Sequence, residues 1–180
     1  TVQKQLDSLL DGYDQVCRLV VKFRGRWHAI VQVHGEDRPN APLSAALRKP
    51  EPGEIRVQVG LALSRGASGI VYFVYSSGLE KKTRWTYHGL VDISGAPADD
   101  RYHVVKSING YLDSISTTMR SLYFHGALSW RERDNVPRVG GNDLLRHVEI
   151  VRDINDPFDA KRAGHLEFGL FGDGKDNSHL

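Results

Sequence analysis

The chain has 180 residues and a mass of 20.2 kDa, which is enough for one domain with a hydrophobic core. Charged residues make up 26% of it and hydrophobic residues 40%, and the single cysteine, Cys17, cannot form a disulfide within the chain. These figures exclude a collagen, an extended disordered polypeptide and a disulfide-stabilised scaffold. The formal net charge of +2 is too close to zero to indicate nucleic-acid binding by itself.

The sequence shows no sign of a membrane span or a signal peptide. The longest apolar run covers only residues 70–75, far short of the roughly 20 residues that cross a bilayer. The lack of disulfides favours a reducing compartment. We therefore expect a cytoplasmic protein without a transmembrane segment.

The first two predicted elements differ in the period of their apolar residues. An N-terminal amphipathic helix is predicted within residues 1–13, where one stripe is formed by Val2, Leu6, Leu9 and Leu10. From Gln15 to His34 the period changes to two, and Gly25 is typical of a tight turn. Residues 15–34 are therefore predicted to form a β-hairpin.

Further strands are predicted in the middle of the chain. Residues 35–53 are expected to be a loop with about two helical turns. The alternation over 55–63 is the clearest strand pattern, and strands over 70–76 and 83–94 follow, so three antiparallel strands are expected. Tyr72 and Phe73 point to opposite faces, which indicates a strand between two layers or at a contact surface.

The last third of the chain completes the predicted fold. A helix is predicted from Ser107, its candidate N-cap, to Leu122, with strands over 122–131 and 165–171. Residues 143–152 fit a helix or a strand, and 172–180 a loose polar tail. The expectation is one domain, 1–180, of the α+β class: a β-rich antiparallel sheet or sandwich of about six to eight strands with about three short helices.

Motifs for cofactors and metals are incomplete. Residues 169–176 resemble a phosphate loop, but Asp176 stands where a Ser or Thr must reach Mg²⁺. Asp153 opens a calcium-loop-like run, but Pro157 and Phe158 occupy positions that need a ligand and a glycine. The histidines lack ligand spacing. We expect no cofactor, no metal and no catalytic residue marked by a motif.

Two basic clusters are the candidate binding residues for nucleic acid or an anionic surface. Residues 15–34 contain no Asp or Glu but have Arg18, Lys22, Arg24 and Arg26. A basic sheet face suits phosphates or acidic lipid headgroups. The second cluster lies beside aromatic rings, which suits single-stranded nucleic acid, and comprises Lys81, Lys82, Arg84 and Trp85.

Three functions remain open. The first is a non-catalytic assembly or interaction protein whose partner is itself or another protein; in size and layout alone the predicted domain is similar to viral matrix or capsid proteins. The second is a domain that binds single-stranded RNA or DNA through the basic hairpin. The third is an enzyme whose site is assembled from loop residues, the candidates being His88, Asp92, Asp99, Asp100 and His103.

Overall fold

The structure, a computed structural model, describes residues 2–23, 25–39, 46–131 and 165–173. The helices in these ranges are α1 (Val2–Phe23), α2 (Pro52–Ser64) and α3 (Asp100–Ser121). The strands are β1 (His28–Gln32), β2 (Gly35–Asp37), β3 (Gly69–Phe73), β4 (Gly78–Glu80), β5 (Trp85–His88), β6 (Tyr123–Arg131) and β7 (His165–Gly172). The predicted α+β class is confirmed.

The strands form three small sheets. β1 and β3 are parallel and are joined by a crossover through α2. β2, β5 and β4 form an antiparallel sheet in that order, and β6 pairs antiparallel with β7. The parallel pair departs from the antiparallel order predicted for residues 55–94, because the chain between β1 and β3 is helical and can return to the same end of the sheet.

The hydrophobic core lies against one face of the parallel pair. α2 and α3 supply most of the packing, and the buried cluster comprises Val31, Val33, Ile55, Val59, Leu90, Val104, Val105 and Ile108. A second cluster joins α1 to the same region through Leu10, Tyr13, Ala29, Leu61, Ala62 and Ala67. The two clusters share the half-buried Ile70, so helices and sheet bury one continuous apolar region.

The first half of the predicted hairpin is wrong. Residues 15–23 continue α1, because the helical stripe of Leu10, Tyr13 and Cys17 carries on past Gly12 and faces the core. The helix closes where Gly25 N–H donates to the Val20 carbonyl over 3.1 Å. The second half is confirmed as a strand over His28–Gln32.

The predicted strand over 55–63 is also wrong, because these residues form α2. Pro52 occupies the first turn, where its missing N–H costs nothing, and the Glu54 carboxylate accepts the Glu51 N–H over 2.8 Å. Ile55, Val59 and Ala62 are buried at helical spacing. The apolar residues that alternate in the sequence are thus distributed around α2, a helix that is buried on more than one side.

Other predicted boundaries shift. Residues 46–50 are not helical, and 40–45 lie outside the described residues. Asp99, not Ser107, caps α3, since its carboxylate accepts the Arg101 N–H over 3.1 Å. Strands are confirmed at 123–131 and 165–172, so residues 169–172 belong to β7 and not to a phosphate loop. Residues 143–152, 153–159 and 174–180 lie outside the described ranges.

A buried guanidinium connects four elements. Arg65, at the carboxyl end of α2, is 2% exposed and donates to Asp14 of α1 over 2.8 Å. It also contacts Glu167 of β7 at 2.6 Å and Ser129 of β6 at 2.9 Å. Its carbonyl accepts hydrogen bonds from the Cys17 thiol and the Trp27 indole. Both ends of this residue therefore fix α1 and the β6–β7 pair to α2.

A glutamine side chain covers part of one edge of the parallel pair. The Gln58 amide of α2 accepts the backbone N–H of Gln32 over 3.1 Å and donates to the carbonyl of the same residue over 3.3 Å. It imitates the two bonds that a neighbouring strand would make. The end of β1 is thus satisfied by α2.

Arg65→Ala is expected to lower the free energy of unfolding by about 3–5 kcal/mol, because it leaves the buried Glu167 carboxylate without its cation and also removes the bond to the more exposed Asp14. Urea unfolding measures the loss. Arg56→Ala, at an exposed position of the same helix, is the control and should change it by less than about 0.5 kcal/mol. Equal losses would contradict the assigned role of Arg65.

Tyr13→Phe is expected to raise the free energy of unfolding by up to about 1 kcal/mol. The Tyr13 hydroxyl is buried and has no hydrogen-bond partner among the described residues, so removing it relieves a desolvation cost. Tyr72→Phe is the matched control, since that hydroxyl donates to Asn109 over 2.9 Å and its removal should destabilise the protein. A loss of stability in Tyr13→Phe would overturn the argument.

Candidate interaction surface

The parallel pair has one covered face and one exposed face. Side chains alternate along a strand, and Ala29, Val31 and Tyr72 point towards the helices. The opposite side, here called the outer face, comprises His28, Ile30, Gln32, Gly69, Val71 and Phe73. The register places Ile30 beside Val71 and Gln32 beside Phe73.

Large apolar side chains of the outer face are open to solvent. Ile30 is 68% exposed, Val71 46% and Phe73 48%. Parallel strands are usually covered on both faces, because their connections place helices there. Three apolar side chains together on an uncovered parallel pair therefore indicate a contact surface.

The rings of two histidines, His28 and His34, lie at the ends of the outer face. The His28 ring lies against the backbone of Gly69, where an added Cβ would come within 2.7 Å of the ring. At the other end, the Phe73 ring meets the edge of the buried His34 ring, with centroids 5.2 Å apart. The face contains no Lys, Arg, Asp or Glu. Of the residues of the outer face, only Phe73 was singled out by the sequence as part of a possible contact surface. The exposure of Ile30 and Val71 depends on which elements pack around them.

The sequence predicted that the first basic cluster lies on a sheet face, and this prediction is wrong because the cluster's first residues are helical. Arg18 and Lys22 are exposed on α1, where a spacing of four still places them on one side of the helix. Arg26 is exposed in the segment that leads to β1, and Arg24 lies outside the described residues.

The second basic cluster lies at the turn between β4 and β5. Lys81, Lys82 and Arg84 are exposed there, and their role in binding stays a prediction. Trp85 is half-buried, and the Arg38 guanidinium lies 4.1 Å from the centroid of its ring. That stacking occupies a ring face that a nucleobase would need.

A shallow cleft of about 310 Å³ lies between β2, β5 and residues 46–49. In it the His88 ring nitrogen Nε2 lies 2.7 Å from the Asp37 carboxylate, an exposed pair that resembles an acid–base dyad. Lys49 lines the same cleft and its Nζ lies 3.6 Å from Asp99. No Ser, Thr or Cys nucleophile lines this cleft among the residues that the structure describes.

The other candidate catalytic residues have separate partners. The Asp92 carboxylate accepts N–H groups of the turn at Ser94 and Ala96. Asp99 caps α3 and accepts two bonds from the Arg101 guanidinium over 2.7 Å. Asp100 and His103 are exposed on α3. Asp92 therefore stabilises a turn, and Asp99 caps a helix.

The buried Glu36 carboxylate lies beside the cleft with two basic partners. Glu36 lies 3.1 Å from His34 Nε2 and accepts from Arg38 over 2.7 Å. Burial, the largest single effect, raises the pKa of the Glu36 carboxyl, but the hydrogen bonds and charges of His34 and Arg38 together lower it below its usual value of about 4.5. Glu36 therefore stabilises the fold as an anion.

Neither a reactive thiol nor a metal site is found in the described ranges. Burial, followed by the nearby Asp14 charge, raises the pKa of Cys17 to about 11, so the thiol stays protonated at neutral pH. Nowhere in residues 2–23, 25–39, 46–131 and 165–173 do three His, Cys, Asp or Glu side chains meet as metal ligands. In the same ranges no helix combines the length and apolar character needed to cross a membrane.

Comparison of the chain with models of protein families, with curated proteins and with solved structures found no significant match.

Glu36→Gln is expected to destabilise the protein at pH 7 and to matter less in acid. Because the folded pKa of Glu36 is lowered, its stabilisation is complete above its usual pKa and is lost as the pH falls through the folded value. Urea unfolding at several pH values should therefore show the difference from wild type shrinking as the pH falls below the usual pKa of about 4.5. The same carboxylate-to-amide change at an exposed position of α3, Asp113→Asn, is the control; a difference that grows in acid would refute the assignment.

Proposed function

We propose that this protein is a non-catalytic interaction protein that self-associates through the outer face of its parallel strand pair. The observation that carries this proposal is the exposure of Ile30, Val71 and Phe73 side by side on a type of sheet that is normally covered. Burying three such side chains against an apolar partner supplies favourable free energy without any new polar bond.

A second copy of the chain suits this face. The cores of homodimer interfaces are apolar and depleted in charged residues, and the outer face has no Lys, Arg, Asp or Glu. In a two-fold arrangement the same patch meets itself, so an uncharged patch meets no like charge. The net charge of +2 adds little long-range repulsion between copies.

The two alternatives have less support. For single-stranded nucleic acid, the two basic clusters lie on different elements, and Trp85 is already stacked by Arg38. For an enzyme, the Asp37–His88 pair could move a proton, but its cleft offers no nucleophile among the described lining residues. A self-associating structural role, as in a matrix or capsid protein, fits the outer face better.

Sedimentation velocity over a range of concentrations tests the proposal. Wild-type protein should shift from monomer to dimer or a larger oligomer as concentration rises. Ile30→Lys places a charge in the centre of the outer face and should raise the apparent dissociation constant at least about tenfold. Val71→Lys should act in the same direction.

Ile93→Lys is the matched control, because it is the same change at a 90% exposed position in the turn after β5. It should leave association unaltered, and circular dichroism should show all variants folded. A wild-type protein that stays monomeric at every concentration would contradict the proposal. So would an effect of Ile93→Lys as large as that of Ile30→Lys.

A further inference from the structure

The carboxyl half of α1 has a second apolar stripe beside the one that faces the core, and its two valines are half-buried. Leu10, Tyr13 and Cys17 form the stripe that faces the core. The second stripe comprises Val16, Leu19, Val20 and Phe23, at the i, i+3, i+4 and i+7 spacing of one helix side. Leu19 is 56% exposed and Phe23 69% exposed.

Cations border the second stripe. Arg18 and Lys22 lie exposed on the adjoining side of the helix, and Arg26 is exposed just beyond its end. The Lys22 ammonium lies 5.3 Å from the centroid of the Phe23 ring. Residues 15–27 contain no Asp or Glu, so this end of the helix is uniformly basic.

The acidic residues of α1 lie towards its other end. Asp14 is held by Arg65 in the buried network, and Asp7 and Asp11 precede Arg18 by two to three helical turns. Since a helix rises about 1.5 Å per residue, Asp11 lies roughly 10 Å along the axis from Arg18, about one Debye length at physiological salt. Asp14 lies four residues before Arg18 on the same side of the helix, but its carboxylate is bound to Arg65. Lys22 and Arg26 lie further along the chain from these three carboxylates.

We propose that the second stripe binds the surface of anionic lipid bilayers. A helix side with apolar residues beside basic ones is the composition of an interfacial helix, in which the apolar residues enter the boundary of the acyl chains and the cations meet the headgroups. Each Lys or Arg near such a surface strengthens binding about fivefold. Phe23 is the one ring of the stripe, and Leu19 and the two valines offer none on which a nucleobase could stack, so lipid fits better than nucleic acid.

This inference is independent of the proposed self-association, because α1 and the outer face are separate elements. The protein would lie on the bilayer with the carboxyl half of α1 parallel to the surface. No residue of the parallel pair takes part in this contact.

Vesicle flotation of the full chain tests the inference. Wild-type protein should float with vesicles of phosphatidylcholine and phosphatidylserine in equal parts, and not with phosphatidylcholine alone. The double variant Arg18→Glu, Lys22→Glu should lower the partition coefficient more than tenfold. Leu19→Ser and Phe23→Ser should each lower it at least about fivefold, because they remove the apolar contact.

Two matched controls isolate the helix. Lys81→Glu, Lys82→Glu makes the same charge change on the β4–β5 turn, and Leu79→Ser removes a leucine that is 62% exposed on β4. Both should bind vesicles within about twofold of wild type. Ile30→Lys should also keep its vesicle binding, whatever its oligomeric state, which separates this test from that of self-association.

Several results would overturn the inference. Absence of flotation with phosphatidylserine vesicles is one, and equal flotation of Leu19→Ser and wild type is another, since it would indicate adsorption by charge alone. A single-stranded RNA oligonucleotide that binds wild type but not Arg18→Glu, Lys22→Glu, without any vesicle binding, would assign the cations to nucleic acid. A change in sedimentation of Phe23→Ser without vesicle binding would assign the stripe to a protein contact.

Discussion

The buried guanidinium of Arg65 is the interaction on which the arrangement of this protein depends. It lies at the end of α2 and joins Asp14, 51 residues before it, to Ser129, 64 residues after it, and to Glu167 beyond. A cation at 2% exposure is tolerated only when its N–H donors have hydrogen-bond acceptors. Here the acceptors are Asp14, Ser129 and Glu167. Because these partners come from distant parts of the chain, the position of α1, and with it the direction of its exposed stripe, follows from this site.

Arg101, at the start of α3, is a second buried guanidinium whose donors all have partners. Its guanidinium donates to the Asp99 carboxylate and to the carbonyls of Val33, His88 and Gly89. A cation in the first turn opposes the helix dipole, and the capping Asp99 offsets it. The carbonyls belong to the ends of strands, so the side chain ties α3 to the strand ends beside the core. Packing on the inner face of the parallel pair is thereby fixed, and its other face is left to solvent.

The sequence correctly predicted those elements whose apolar periodicity fits only a helix or only a strand. Strands 123–131 and 165–172 and most of α3 were found at nearly their true positions. α2 was missed because Ile55, Val57, Val59 and Leu61 alternate while the helix buries residues on most sides; Pro52 with Glu51 and Glu54 was the helix-start signal that could have corrected it. The outer face was predictable only in part, through the adjacent Tyr72 and Phe73. Whether Ile30 is buried depends on which elements pack there, which no local pattern encodes.

The amide of Gln58 limits how the parallel pair can grow. By bonding both backbone groups of Gln32, it occupies the end of the β1 edge with a side chain that cannot pass hydrogen bonds on to a further strand. Sheets that extend without limit into fibrils need unpaired backbone N–H and C=O groups at both edges, so that a further strand can add at each. With the end of one edge bonded to a side chain in this way, the β1–β3 pair is a poor template for edge-to-edge extension.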